Sequence, residues 1–118
     1  MLSLTGIEQV YLACGSTDLR KSIDGLAVLV SQAFALDPFG PSLFVFCNRK
    51  RDKLKIHYWE NNGFWLYYRR LERGRFQWPE ATTKSPVVVT RRQLQWLLDG
   101  LELEQQQAHS AVTARIII

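Results

Sequence analysis

The chain has 118 residues, enough for one hydrophobic core and too few for two. Hydrophobic residues make up 47% and charged residues 22%, a globular balance that excludes disorder as the main state, and Phe 6, Trp 4 and Tyr 4 predict a ring-rich core. The net charge of +4, with a pI near 9.3, favours polyanionic partners only weakly.

No apolar stretch approaches the roughly 18 residues of a membrane span. No basic region followed by an apolar run marks a secretory signal, so the chain reads as cytoplasmic. Cys14 and Cys47 form no CxxC and have no histidine at ligand spacing. They read as two buried, reduced thiols, with no metal and no cofactor implied.

In chain order, Ile7 to Cys14 alternates Val10, Leu12 and Cys14 as a first strand. Gly15, Ser16 and Thr17 break it and offer N-caps for a helix whose Leu19, Ile23, Leu26, Ala27, Val30 and Phe34 share one face. That helix should end near Ala35, before Asp37-Pro38-Phe39-Gly40-Pro41. Gly25 inside it suggests a close approach to a sheet. Ser42 to Asn48 is almost continuously apolar, as a central strand covered on both faces would be.

After a turn at Asn48 to Asp52, Lys53 to Glu60 alternates cleanly. Leu54, Ile56 and Tyr58 share one face; Lys53, Lys55, His57 and Trp59 share the other. The apolar set is expected to lie under the N-terminal helix. Asn61-Asn62-Gly63 is a hairpin signal, because Asn and Gly tolerate positive φ. Phe64 to Leu71 should return antiparallel, and Glu72-Arg73-Gly74 should turn the chain into another strand at Arg75 to Trp78. Pro86 to Val89 reads as an edge strand. Thr90 and Gln93 form a capping box for a second helix with Leu94, Leu97, Leu98 and Leu101 as its stripe and Gly100 near its end. The expected fold is α+β: an antiparallel β-meander of about four to five strands packed against an N-terminal helix, with a shorter C-terminal helix. Residues 1–103 form one domain and 104–118 a mobile tail.

Charge is segregated. From Arg49 to Arg92 there are twelve basic residues against four acidic ones, a net +8, which leaves the remainder at −4. Arg49, Lys50, Arg51, Lys53, Lys55, Arg69, Arg70, Arg73 and Arg75 are the candidate nucleic-acid contacts, with Arg69 expected across the strands from Lys53 and Lys55. Trp59, Trp65 and Tyr67 are the candidate stacking rings. A solvated sheet face, its rings shielded by lysine and arginine stems, is the alternative.

One catalytic pattern is present. Cys14 to Arg20 spells C-x5-R at a strand-to-helix junction, as in phosphatases with a cysteine nucleophile. Asp18 opposes it by placing negative charge where a phosphate dianion would sit. His57 and His109 have no triad or ligand partner at useful spacing. There is no P-loop and no GxGxxG.

Three stretches carry a resemblance: VYLACGSTDLRKSIDGLAVLV from Val10, LFVFCNRKRDKLKIHYWENNGFWLYYRRLERGRFQWP from Leu43, and TRRQLQWLLDGLEL from Thr90. Together they resemble the TnpB accessory protein of the bacterial insertion-sequence family numbered sixty-six. The resemblance implies a role in transposition beside a separate, larger transposase, and offers no catalytic residue to carry over. The tail from Gln105 matches no pattern of that family. The expected function is a non-catalytic accessory protein that contacts DNA, or the transposase–DNA complex, through the basic meander. Its alternatives are a protein–protein adaptor for the transposase and, most distantly, a phosphatase-like enzyme using Cys14 and Arg20.

Overall fold

A computed structural model describes residues 6–81 and 85–103. Its elements are β1 (Gln9–Leu12), α1 (Ile23–Val28) continued by a π-helical turn (Leu29–Ala33), β2 (Ser42–Cys47), β3 (Lys53–Glu60), β4 (Gly63–Arg70), β5 (Val87–Val89) and α2 (Arg91–Leu98). The tail after Leu103 lies outside the described residues.

The fold is α+β, with one five-stranded sheet in the order β4-β3-β2-β1-β5 and two helices. Only β2-β3-β4 is a meander. β1 runs parallel to β2, with α1 in the crossover between them, and β5 pairs antiparallel to β1 at the other edge. This departs from the expected all-antiparallel pattern, for a connection-length reason. The 29 residues between Leu12 and Ser42 hold a helix and are long enough for the crossover that parallel strands require.

The hairpin signals hold. Glu60 pairs with Gly63 around a two-residue Asn61-Asn62 turn, and Asn61 adopts φ 54°. At the other turn, Asn48 Oδ1 accepts from the amides of Asp52 and Lys53, while Arg51 takes φ 62°. Thr90 and Gln93 close the capping box reciprocally, at 3.0 and 2.9 Å.

The centre of the sheet is buried on both sides, and β2 is apolar from Leu43 to Cys47 because it lies between two cores, whereas the edge strand β4 is largely exposed. Leu54, Ile56 and Tyr58 join Val10, Leu12, Val45 and Trp78 in the larger core, which also takes Leu94 and Leu97 of α2. Leu26 and Val30 cluster with Ala13, Phe44 and Phe46 in the second core. The expected seating of the first helix over Leu54, Ile56 and Tyr58 is therefore corrected. In the sheet register His57 stands beside Phe44 and Lys55 beside Phe46, so the helix covers the face that carries the polar set of β3.

Three further expectations are corrected. The first helix begins at Ile23, not near Thr17. Asp18 instead accepts from the Arg20 amide and guanidinium, a local turn that competes with helix. Arg75 to Trp78 is not a strand, although Phe76 and Trp78 are buried; Trp78 Nε1 donates to the Ala13 carbonyl at 3.0 Å. A Cβ on Gly25 would meet the Lys21 side chain at 3.2 Å, so its crowding comes from its own chain, not from the sheet. The helix end was legible. Phe34 N bonds back to Leu29 O, and Ala35 turns out of the helix at φ 54°.

Candidate nucleic-acid interface

The candidate cations converge because two backbone ties bring the segment after β4 against the β2–β3 turn. Leu71 N donates to Asp52 O and Phe76 N to Arg51 O, both at 2.7 Å. Arg49, Lys50 and Arg51 of the turn, Arg69 and Arg70 at the end of β4, and Arg73 and Arg75 beyond it thus share one rim of the sheet.

Their ion pairing is uneven. Arg51 Nη2 pairs with Glu80 at 2.9 Å and Arg70 Nε with Glu72 at 3.0 Å. Among the described residues, Arg49, Lys50, Lys53, Arg69, Arg73 and Arg75 make no ion pair. All of these except Lys53, which is half-buried, are exposed. Lys55 is committed elsewhere. Its Nζ donates to the carbonyls of Leu19 at 2.6 Å and Lys21 at 3.0 Å, and lies 5.9 Å from the Tyr68 ring centroid.

The sheet register divides the set between two faces. Lys53 opposes Arg70 and Lys55 opposes Tyr68, whereas Leu54 opposes Arg69. Arg69 therefore lies on the face opposite Lys53 and Lys55, contrary to the expected reach between them, because a one-residue step along a strand reverses the face. The rings are split likewise. Trp59 packs edge-on against Phe39 and Phe64. Trp65, half-exposed, stacks on Tyr67 at 5.9 Å on the Arg69 side, and its Nε1 donates to Glu60 at 3.0 Å.

His57 is fully buried. Its Nε2 lies 3.1 Å from the Ile23 carbonyl, and Nδ1 has no hydrogen-bond partner among the described residues. Burial lowers its pKa, opposed by the bond to Ile23. It anchors the first turn of α1 through Ile23.

The Cys14–Arg20 loop is tied down amide by amide. Cys14 N donates to Ser85 Oγ, Gly15 N to Pro79 O, Thr17 N to Cys47 O and Arg20 N to Asp18. Those four donors point at protein acceptors, and the loop does not open directly into a helix. The Arg20 guanidinium is paired with Asp18 at 2.7 Å, which holds the Asp18 carboxyl well below the usual carboxylate range. Burial pushes the Cys14 thiol up, against the Ser85 hydrogen bond, so the thiolate that nucleophilic catalysis needs is disfavoured. Burial also pushes Cys47 up to about 12.

The family model described as IS66 Orf2 like protein matches residues 8–108. The chain belongs to that family. The match spans every element of the sheet and both helices, and it bears out the resemblance to the TnpB accessory proteins of this insertion-sequence family. It carries with it an accessory role in transposition. Two similar proteins of Sinorhizobium fredii (strain NBRC 101917 / NGR234) bear the names uncharacterized protein y4hO and uncharacterized protein y4jC. The first is 35% identical over 99 residues, covering 84% of this chain and 85% of its own length. The second is 34% identical over 71 residues, covering 60% of this chain and 61% of its own. No solved structure matches the chain.

Two residues that the sequence did not assign to nucleic-acid contact, Tyr68 and Arg20, stand beside this family member's basic rim. Tyr68, more than half exposed, stands across from Lys55, and Arg20 joins Lys53 along the same depression. The alternation of β4 could have pointed to Tyr68. Nothing in the spacing could have brought Arg20 there.

Proposed function

We propose that this protein is a non-catalytic accessory factor in transposition that contacts DNA through the basic rim of its sheet. The observation that carries this reading is the unpaired state of Arg49, Lys50, Lys53, Arg69, Arg73 and Arg75. The ties of the post-β4 segment to the β2–β3 turn bring Arg69, Arg73 and Arg75 beside Arg49 and Lys50, with Lys53 at the start of β3 on the sheet face opposite Arg69. Cations not neutralised by a neighbouring carboxylate can displace the counterions condensed on phosphates, which is the main source of sequence-independent affinity for DNA. The engaged amides of the Cys14 loop and the raised thiol pKa support a role without phosphate-ester chemistry.

The test is binding of the purified full chain to labelled DNA from the element ends, without transposase, followed by anisotropy across a salt series. A log affinity that falls linearly with log salt supports the reading. The half-exposed Trp65, stacked on the partly buried Tyr67 of the edge strand, favours a second one, a protein–protein adaptor for the cognate transposase. Capture of the transposase by a chain that shows no DNA affinity at low salt would replace the first reading with the second. Hydrolysis of an aryl phosphate, lost in Cys14→Ser, would reverse the non-catalytic assignment.

A further inference from the structure

A groove of about 540 Å³ opens between the Asp18–Lys21 turn and the outer strands β3 and β4. Leu19, Leu66 and Tyr68 give it apolar walls, and Arg20, Lys53 and Lys55 line it with cations. A second depression of about 380 Å³ shares Asp18, Leu19, Asn48 and Lys53 with it and continues to Arg49 and Lys50. Among the described residues the combined trough is lined by five basic side chains and one carboxylate, Asp18, whose pairing with Arg20 leaves Arg49, Lys50, Lys53 and Lys55 without a carboxylate partner.

The trough is kept open by the protein's own bonding. Lys55 Nζ bridges the Leu19 and Lys21 carbonyls, fixing the Asp18–Lys21 turn at a set distance from β3. Asn48 holds the other end through its bonds to Asp52 and Lys53. Tyr68 is 55% exposed, a large ring left open beside a row of cations.

This combination of a ring within a concave, cationic channel differs from what a duplex requires. In duplex DNA the base faces are stacked inside, so a ring meets only groove edges and backbone. An unpaired base can lay its face on the ring while the phosphates on either side meet the cations. Resting on the reading of this protein as a DNA-contacting factor, we infer that the trough is a binding site for single-stranded DNA. A base stacks on Tyr68, and the flanking phosphates run from Lys53 towards Arg49 and Lys50, while Arg20 stays paired with Asp18 at the rim of the trough. Lys55 builds the wall of the site and adds to its potential. The half-exposed Trp65 and the partly buried Tyr67 lie on the opposite face of β4 and take no part.

The experiment measures anisotropy of the full chain with a labelled oligothymidylate of about ten nucleotides and with a duplex of equal length, at several salt concentrations. The oligothymidylate should bind more tightly than the duplex. Tyr68→Ala should weaken the single-strand complex roughly 5- to 150-fold, the range found for loss of one stacked base, and Tyr68→Phe should restore it. Lys53→Gln should make the single-strand slope of log affinity against log salt shallower by about 0.7. Trp65→Ala, on the other sheet face, should leave the single-strand affinity unchanged. Duplex binding as tight as single-strand binding, with Tyr68→Ala indistinguishable from the parent protein, overturns the trough while DNA contact through the rim survives. Absence of binding to either DNA removes both.

Discussion

The Nζ of Lys55 lies 2.6 Å from the carbonyl oxygen of Leu19, joining the second strand of the meander to the turn that precedes α1. A residue that alternation marks as a surface cation is thus a tie between two parts of the fold. Its four-carbon stem spans the gap, and its ammonium satisfies two carbonyls that no helix turn uses. Lys55→Met keeps the stem and removes the donor. Urea denaturation should show a loss of about 1.5–3 kcal/mol with an unchanged m-value, since hydrogen bonds involving a charged group contribute about this much. A variant as stable as the parent would return Lys55 to the list of dispensable surface charges.

Arg49 and Lys50 test the rim more cleanly than the whole Arg49–Arg51 triplet. Arg51 pairs with Glu80, sits at φ 62° and accepts the Phe76 amide, so replacing it disturbs the fold. The double change Arg49→Gln, Lys50→Gln removes two exposed, unpaired cations. If both touch phosphate, the salt slope should become shallower by about 1.8 on duplex DNA or about 1.4 on a single strand. Circular dichroism should not change. An unaltered slope would shift the contact towards Arg69, Arg73 and Arg75.

His57 gives the protein a dependence on mild acid. Folded, its pKa is lowered by burial, so below pH 6.5 the unfolded chain takes up a proton that the folded chain refuses. The contribution is fully present above that pH and is lost as pH falls towards the folded-state pKa, with a slope of at most about 1.4 kcal/mol per pH unit. Protonation would also leave Nδ1 as a buried donor without an acceptor among the described residues. Stability measured between pH 7 and 5 should therefore fall more steeply for the parent than for His57→Gln, which keeps a donor for Ile23 and does not titrate. Parallel curves would mean that the imidazole gains a partner when charged.

Thr90→Ala removes the side-chain oxygen that accepts the Gln93 amide at 3.0 Å. The expected loss is about 1 kcal/mol, read as a lower denaturation midpoint. DNA affinity should be unaffected, because α2 serves the core through Leu94 and Leu97 and not the rim.

Much of the local structure was legible. The apolar run at Ser42, the alternation from Lys53, the Asn61-Asn62 turn and the Thr90–Gln93 box each arise from residues close together in the chain, and each forms where those residues direct it. The sites were less so. Alternation divides Lys53, Lys55 and His57 from Leu54, Ile56 and Tyr58, but it cannot say what covers either set. Here Leu54, Ile56 and Tyr58 are covered by α2 and the segment carrying Phe76 and Trp78, whereas of the other set His57 is buried beneath the chain around α1 and Lys53 and Lys55 line an open trough.

The sequence by itself determined the strands of the meander, the helix cap, the family and the concentration of positive charge between Arg49 and Arg92, because these are properties of neighbouring residues or of composition. Tertiary structure alone decided that β1 lies parallel to β2, that Arg69 and Lys53 face opposite ways, and that Arg20 and Tyr68 meet across one trough. The reason is physical. Strand pairing, cation pairing and groove formation depend on segments tens of residues apart. Their meeting is set by the closure of two cores around one sheet, not by any local preference of the chain.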